Sequence, residues 1–275
     1  MRFRWLLIAA LGAAFILGTV ALRDRTPIRS EYCTAEVGGT VARVDLKQAQ
    51  WSALMAAITS RRGMPARAAT IAIATAFQES KIHNIGYGDR DSVGIFQQRP
   101  SQGWGTAEQI SDPHYSIGRF YDGLAKIRGY SSMEITEAAQ KVQRSAFPGA
   151  YAQHEDDARA LASSLAGYST ASFTCQINPK PGAGNIQRIA GNVNKAYGEL
   201  SHKQADGRIA YTFTGKAADV ERRGWSLAHY LVANAASLGI ETVSFNGRKW
   251  TASDSPEGWQ TSTRARSDVV TATID

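Results

Sequence analysis

Cysteine is nearly absent from this chain: 275 residues contain two, Cys33 and Cys175. Neither sits in a CxxC pair, and His83, His114, His154, His202 and His229 show no ligand spacing. A structural zinc module and a dithiol redox centre are therefore excluded, and neither a metal nor another cofactor is expected. Gly86, Gly88, Gly103 and Gly105 are not followed by Lys-Ser/Thr, so the chain has no phosphate-binding loop. It also lacks internal repeats and low-complexity tracts, which argues against a solenoid. An excess of one charge sign is missing from the middle: residues 33–175 carry fourteen Lys/Arg against thirteen Asp/Glu. Of the net +7, all but one charge comes from the ends, five against two in residues 1–32 and twelve against nine in 176–275. Positive residues this dispersed do not make a nucleic-acid footprint.

One long apolar run is present, Trp5 to Leu22, preceded by Arg2 and Arg4 and followed by Arg23 and Arg25. As a helix rising ~1.5 Å per residue it just spans the ~30 Å hydrocarbon core. Thr19-Val20-Ala21 is a poor small-residue cleavage site, which favours an uncleaved signal anchor over a removed signal peptide in residues 1–25. Charges on both sides leave the orientation open. Two cysteines bracketing one stretch of chain fit a single disulfide of an exported protein, the alternative being two unrelated buried thiols. The expected location is the cell membrane, single-pass through residues 5–22, with the soluble part extracytoplasmic, or secreted if the signal is cleaved.

Residues 26–44 are polar and turn-rich and read as a tether. Helices follow. Asp45 with Gln48 forms a capping box for a helix that Gly63 ends, and Pro65 opens an alanine-rich helix running to Ser80. Residues 84–106 hold five glycines and several amides, the chemistry of a long functional loop. Asp112-Pro113 starts a further helix, Thr136 caps another, and a last one runs from about Gln153 to Gly167. Residues 176–184 read as a linker. Beyond it, 185–199 and 224–238 read as helices, 209–213 as a strand and 241–251 as a hairpin turning on Asn246-Gly247. The expected fold is multi-domain: a mainly α domain over 45–175, then a smaller α+β accessory domain over 185–275, with a transmembrane helix before both.

Glu79 ends the alanine-rich helix and precedes the glycine-rich loop, so its carboxyl should emerge between a packed helix and a cleft. Partial removal from water favours the neutral acid, which can then donate a proton near neutral pH. The plainer alternative is a helix-end residue paired with Lys81 or Arg90. Gln78-Glu79-Ser80 followed by Gly94-Ile95-Phe96-Gln97-Gln98 resembles the Glu-Ser, then Gly-Leu-Met-Gln, signature of the lysozyme-like lytic transglycosylases. The wider block, with AAQKVQRSAFPGAY later, is similar to a lysozyme-like module of actinobacterial envelope proteins, and the likeness covers roughly 45–168. It implies a lysozyme-like fold, peptidoglycan glycan strands as substrate and Glu79 as general acid and base. Ser80 would steady the loop or the carboxylate, and Gln97 and Gln98 would bond sugar hydroxyls or acetamides. Phe96 would take the place of the family's methionine, Tyr151 would stack on a sugar, and Ser92 joins them as a substrate-binding candidate. Tyr87 and Trp104 are further stacking candidates.

The chain departs from the family by inserting Gly88-Asp89-Arg90-Asp91-Ser92, which leaves two reactions open. Acting alone, Glu79 protonates the glycosidic oxygen and then helps the sugar's own hydroxyl close an anhydro ring. With Asp89 or Asp91 as a second catalytic carboxylate, the pair would run hydrolysis. The last hundred residues carry a fainter likeness. Gly215-Lys216-Ala217-Ala218-Asp219-Val220 and Glu257-Gly258-Trp259-Gln260 resemble motifs of zinc D-alanyl-D-alanine carboxypeptidases, but Thr212 and Gln260 stand where that family has metal histidines. The resemblance implies a metal-free relative that binds peptidoglycan stems or another envelope protein. Against the glycosidase stands a second hypothesis, a non-catalytic wall-binding or scaffold protein. The expected topology is checked by a tag at Asp275: external protease should remove it from wall-stripped cells, and an intact tag refutes export.

Overall fold

Gly38 and Gly39 both take positive φ, 58° and 84°, the backbone that a tight hairpin turn with right-handed twist requires. They join β1 (Tyr32–Val37) to β2 (Thr40–Val44) in antiparallel register. Cys33, Ala35, Ala42 and Val44 alternate inward and are fully buried. The tether expected over 26–44 is thus corrected for its second half: turn residues there close a hairpin instead of loosening a linker. The computed structural model describes residues 30–144, 149–178 and 181–275. The anchor expected at residues 5–22 lies outside them. Among the described residues no helix is long and apolar enough to cross a membrane.

The helices follow their caps. In α1 (Leu46–Arg61), Asp45 Oδ1 accepts from the Lys47 and Gln48 backbone at 2.8 and 2.9 Å, and Gln48 Oε1 accepts from Asp45 N at 2.8 Å. Gln48 also donates to Lys81 O at 2.8 Å, tying this end to the far end of α2 (Ala66–Ser80). Residues 68–76 of α2 are buried without a break, the mark of a helix enclosed on every side. Around it pack α1, α4 (Pro113–Ala125), α5 (Ile135–Gln143) and α6 (Glu155–Leu165), while the short α3 (Ala107–Ser111) packs on α4. The cap of α5 is Glu134, two residues before the expected Thr136.

The strand β3 (Phe173–Gln176) returns the chain to β1, pairing Cys33 with Cys175, and the two are joined in a disulfide. The composition break that follows marks a change of secondary structure and not a new core. Next come α7 (Ile186–Tyr197), β4 (His202–Ala205), β5 (Arg208–Thr212), α8 (Ala217–Ala233), α9 (Ala235–Leu238), β6 (Thr242–Phe245), β7 (Arg248–Thr251), β8 (Gln260–Thr261) and β9 (Val269–Thr273). Their strands form an antiparallel sheet in the order β4-β5-β9-β6-β7-β8. The described chain is therefore a mixture of nine helices and two sheets.

This second half packs on the first. Trp259 Nε1 donates to Phe173 O at 2.8 Å and Trp250 Nε1 to Cys175 O at 3.3 Å, so two buried indoles occupy the carbonyls that β3 does not use on β1. An exposed strand edge is thereby capped by side chains. Buried His229, among Phe173, Trp225 and Trp259, bonds Ser164 O through Nδ1 at 2.7 Å. Burial pushes its imidazole down to about 4, which keeps it neutral at pH 7. At Gly167 a Cβ would lie 1.9 Å from Arg222 O, so α8 approaches as closely as it does only because no side chain intervenes. Glu31–Asp275 is one compact unit, and the expected boundary at 176–184 does not separate two cores. Replacing both cysteines (Cys33→Ala, Cys175→Ala) should lower stability by about 4 to 5 kcal/mol in the loop-entropy picture. Denaturant unfolding should remain a single transition, and two separate transitions would show that the halves fold independently.

Candidate functional site

Glu79 lies in the last turn of α2, and the way that helix ends fixes where its carboxyl emerges. Lys81 and Ile82 turn left-handed (φ 54° and 56°), Lys81 N bonds Phe77 O and Ile82 N reaches back to Ala76 O at 2.9 Å, with Ile82 buried beneath the turn. The half-buried carboxyl of Glu79 accepts a hydrogen bond from the Tyr151 hydroxyl at 2.8 Å and another from the side chain of Gln143. It makes no ion pair with a described cation. Burial raises its pKa above the ordinary glutamate value, and the two donors offset part of that rise. The negative end of the α2 dipole acts in the same direction as burial.

The motif loop is fastened to this helix end. Ser80 Oγ donates to Ile95 O at 2.6 Å and Gln143 Nε2 to Phe96 O at 2.7 Å, so consecutive carbonyls of the loop are held from α2 and from α5. Gly94 turns at φ 81°, and a Cβ there would lie 2.8 Å from Ile110 O. Tyr151 is held from the other side. In the 3-10 turn Ala152–His154, His154 stacks on Phe77 and its Nε2 lies 3.2 Å from Gln78 Oε1, which also accepts from Gln153.

Several candidates take other places than expected. Phe96 is fully buried and stacks on Phe120, so it belongs to the core and not to a cleft wall. Gln98, 2% exposed, donates to Ser116 O. Ser92 is buried as well; Ser80 is also buried, with its hydroxyl steadying the loop through Ile95 O. The ring of Tyr151 is 0% exposed, so it cannot stack on a sugar; its hydroxyl serves the carboxyl instead. Gln97 stays half-exposed, held at φ 47°, its amide nitrogen donating to Tyr87 O and Gly94 O. Tyr87 is 75% exposed.

The expected second carboxylates are engaged elsewhere. The Ser101 backbone N–H at 2.7 Å, Arg99 Nε at 2.9 Å and the Ser101 hydroxyl at 3.0 Å all donate to Asp91 and hold its carboxyl well below the usual range. Asp89 lies in solvent beside Arg90. Gln143 is the residue of the candidate site that sequence reasoning missed. Its only signal is its position in AAQKVQRSAFPGAY.

A groove of about 540 Å³ continues from Gln143 past Trp104, Arg119, Asp122, Lys126, Lys141 and Arg144. In the second half, the sheet order puts four strand spacings, roughly 19 Å, between Thr212 on β5 and Gln260 on β8, and Asp219 pairs with Arg222. Among the described residues no group of three His, Cys, Asp or Glu is arranged to hold a metal ion.

No family model matches the chain, and no curated protein shows significant similarity to it.

The Tyr151 hydroxyl donates more strongly to the ionised form of Glu79 than to the neutral acid, so Tyr151→Phe should raise the Glu79 pKa further. Carboxyl NMR titration reads it directly, and an unchanged or lower midpoint would show that the bond does not carry the effect.

Proposed function

We propose that this protein is a lysozyme-like lytic glycosidase that cleaves the β-1,4 bond between N-acetylmuramic acid and N-acetylglucosamine in peptidoglycan, with Glu79 as general acid and base. The observation that carries this reading is the Glu79 carboxyl itself: half-buried, raised in pKa, bonded by the neutral donors Tyr151 and Gln143 and free of a described cation. Such an acid keeps its proton to higher pH than an exposed glutamate and can pass it to a glycosidic oxygen.

Engagement of Asp91 by Arg99 and Ser101 favours the route with one carboxylate. Glu79 donates its proton to the bridging oxygen as the bond to muramic acid C1 breaks, releasing the neighbouring sugar with a free 4-hydroxyl. The carboxylate, now steadied by Tyr151 and Gln143, takes the proton of the muramic acid 6-hydroxyl while O6 bonds to C1. An anhydro ring closes, Glu79 is again protonated and no water is consumed. The disulfide between Cys33 and Cys175 supports an oxidising, extracytoplasmic setting, and the apolar run at 5–22 would tether the protein to the membrane.

Purified sacculi incubated with the protein should release muropeptides ending in anhydro-muramic acid. Glu79→Gln should cut that release by about 10² to 10⁴-fold while leaving binding intact. Reducing ends in the product mass spectrum would replace ring closure by hydrolysis. No release by the unmodified protein would refute the enzyme and favour a wall-binding scaffold.

A further inference from the structure

The groove that begins at Gln143 is cationic, although a neutral glycan needs no cations to bind it. Arg119, Lys126, Lys141 and Arg144 line it against one carboxylate, Asp122. That carboxylate is already shared by Arg62 at 2.8 Å and Arg119 at 3.7 Å, and Lys141 has Glu137 at 3.4 Å. Lys126 and Arg144 are exposed and make no ion pair with a described carboxylate. They stand at the C-terminal ends of α4 and α5. The half-buried indole of Trp104, with Ile127 and Val142, gives the floor an apolar strip between the charges. A groove of this size suits a short chain segment.

Position decides which anion fits. Gln143 is one of the donors to Glu79 and also lines the groove, so one side chain joins the groove to the acid. We infer that the groove binds the peptide stem attached to the muramic acid at the cleavage site, with Lys126 and Arg144 pairing its free carboxylates and Trp104 covering its aliphatic parts. This rests on the glycosidase reading and adds to it a substrate class: acidic stems should be preferred to amidated or stripped ones. The four cations also raise the local concentration of an anionic strand, an attraction that salt screens.

Calorimetric titration of the full-length Glu79→Gln protein tests this, using a disaccharide-tetrapeptide with free carboxylates and the same fragment with its carboxylates amidated. The acidic fragment should bind roughly tenfold more tightly, and 0.5 M salt should remove the difference, a salt concentration chosen to shrink the screening length to roughly 4 Å. Adding Lys126→Gln with Arg144→Gln should erase the preference without changing the thermal transition. Equal affinity for both fragments, or a preference that survives the double substitution, overturns the inference while leaving glycan cleavage by Glu79 standing. Binding of neither fragment, together with no muropeptide release by the unsubstituted protein, defeats both. Tighter binding of a glycerol-phosphate polymer than of the acidic fragment would also overturn it, and would assign the groove to a phosphate polymer.

Discussion

A carboxyl taken half out of water at the negative end of a helix must be solvated by something, and what supplies that solvation decides its chemistry. Glu79 is given a phenol and an amide, both neutral donors, so its ionised form is tolerated without being strongly favoured. Asp91, in the adjoining loop, is given a backbone N–H, a guanidinium and a hydroxyl, which drive it the other way. Two acidic side chains joined by one short segment thus end with opposite proton affinities, and the difference lies in their donors and their burial. The first suits a residue that must lose and regain a proton in each cycle. The second suits a residue that pins the Arg99–Ser101 turn.

Those neutral donors act only because other groups hold them. Gln143 is fixed by the Phe96 carbonyl, and the turn carrying Tyr151 is clasped to Phe77 and Gln78 through His154 and Gln153. The loop bearing Gly94 to Gln98 therefore contributes mostly backbone: its carbonyls orient the side chains of Ser80 and Gln143, while Phe96 and Gln98 are spent inside the core. Farther out, α6 packs on α2, and α6 is itself held by β3 and by α8. The disulfide and the indoles of Trp250 and Trp259 keep β3 in place, so the carboxy-terminal half supports the site from behind.

What could be read from the amino acids was local. Capping pairs such as Asp45 with Gln48, the Asp112-Pro113 start and the Asn246-Gly247 turn each act within a few residues, and all three are where expected. Side-chain direction is not local. Phe96, Gln98 and Tyr151 have the residue types of a sugar cleft, and nothing in their spacing tells that they face inward; that follows from Phe120, Ser116 and Glu79, which come from distant segments. Gln143 gave no chemical signal, since an amide on an amphipathic helix reads as surface. The hairpin at 32–44 was hidden for a different reason: small residues alternate in it, and Ala35 and Ala42 carry too little apolar contrast to mark a strand. The same limit hid the continuity of the core past residue 176, because a turn-rich stretch signals a change of direction and not what the next segment packs against.

A groove with four cations joined to the proposed catalytic acid poses an electrostatic problem, since a positive charge close to Glu79 would draw off the proton that the proposed reaction needs. The arrangement avoids this by leaving the cations in contact with solvent. The proton affinity of Glu79 is set by its burial and by Tyr151 and Gln143, with no cation contributing, while Arg119 and Lys141 stand about half-exposed and engaged with Asp122 and Glu137. Charges in water are screened over about 8 Å at physiological salt, whereas a substrate anion lying in the groove would meet them directly. Gln143 forms the border between the two regions, touching the acid on one side and the groove on the other. An amide at that border can bond both without carrying charge to either; a lysine there would favour the ionised carboxylate, and a glutamate would oppose the anion proposed for the groove.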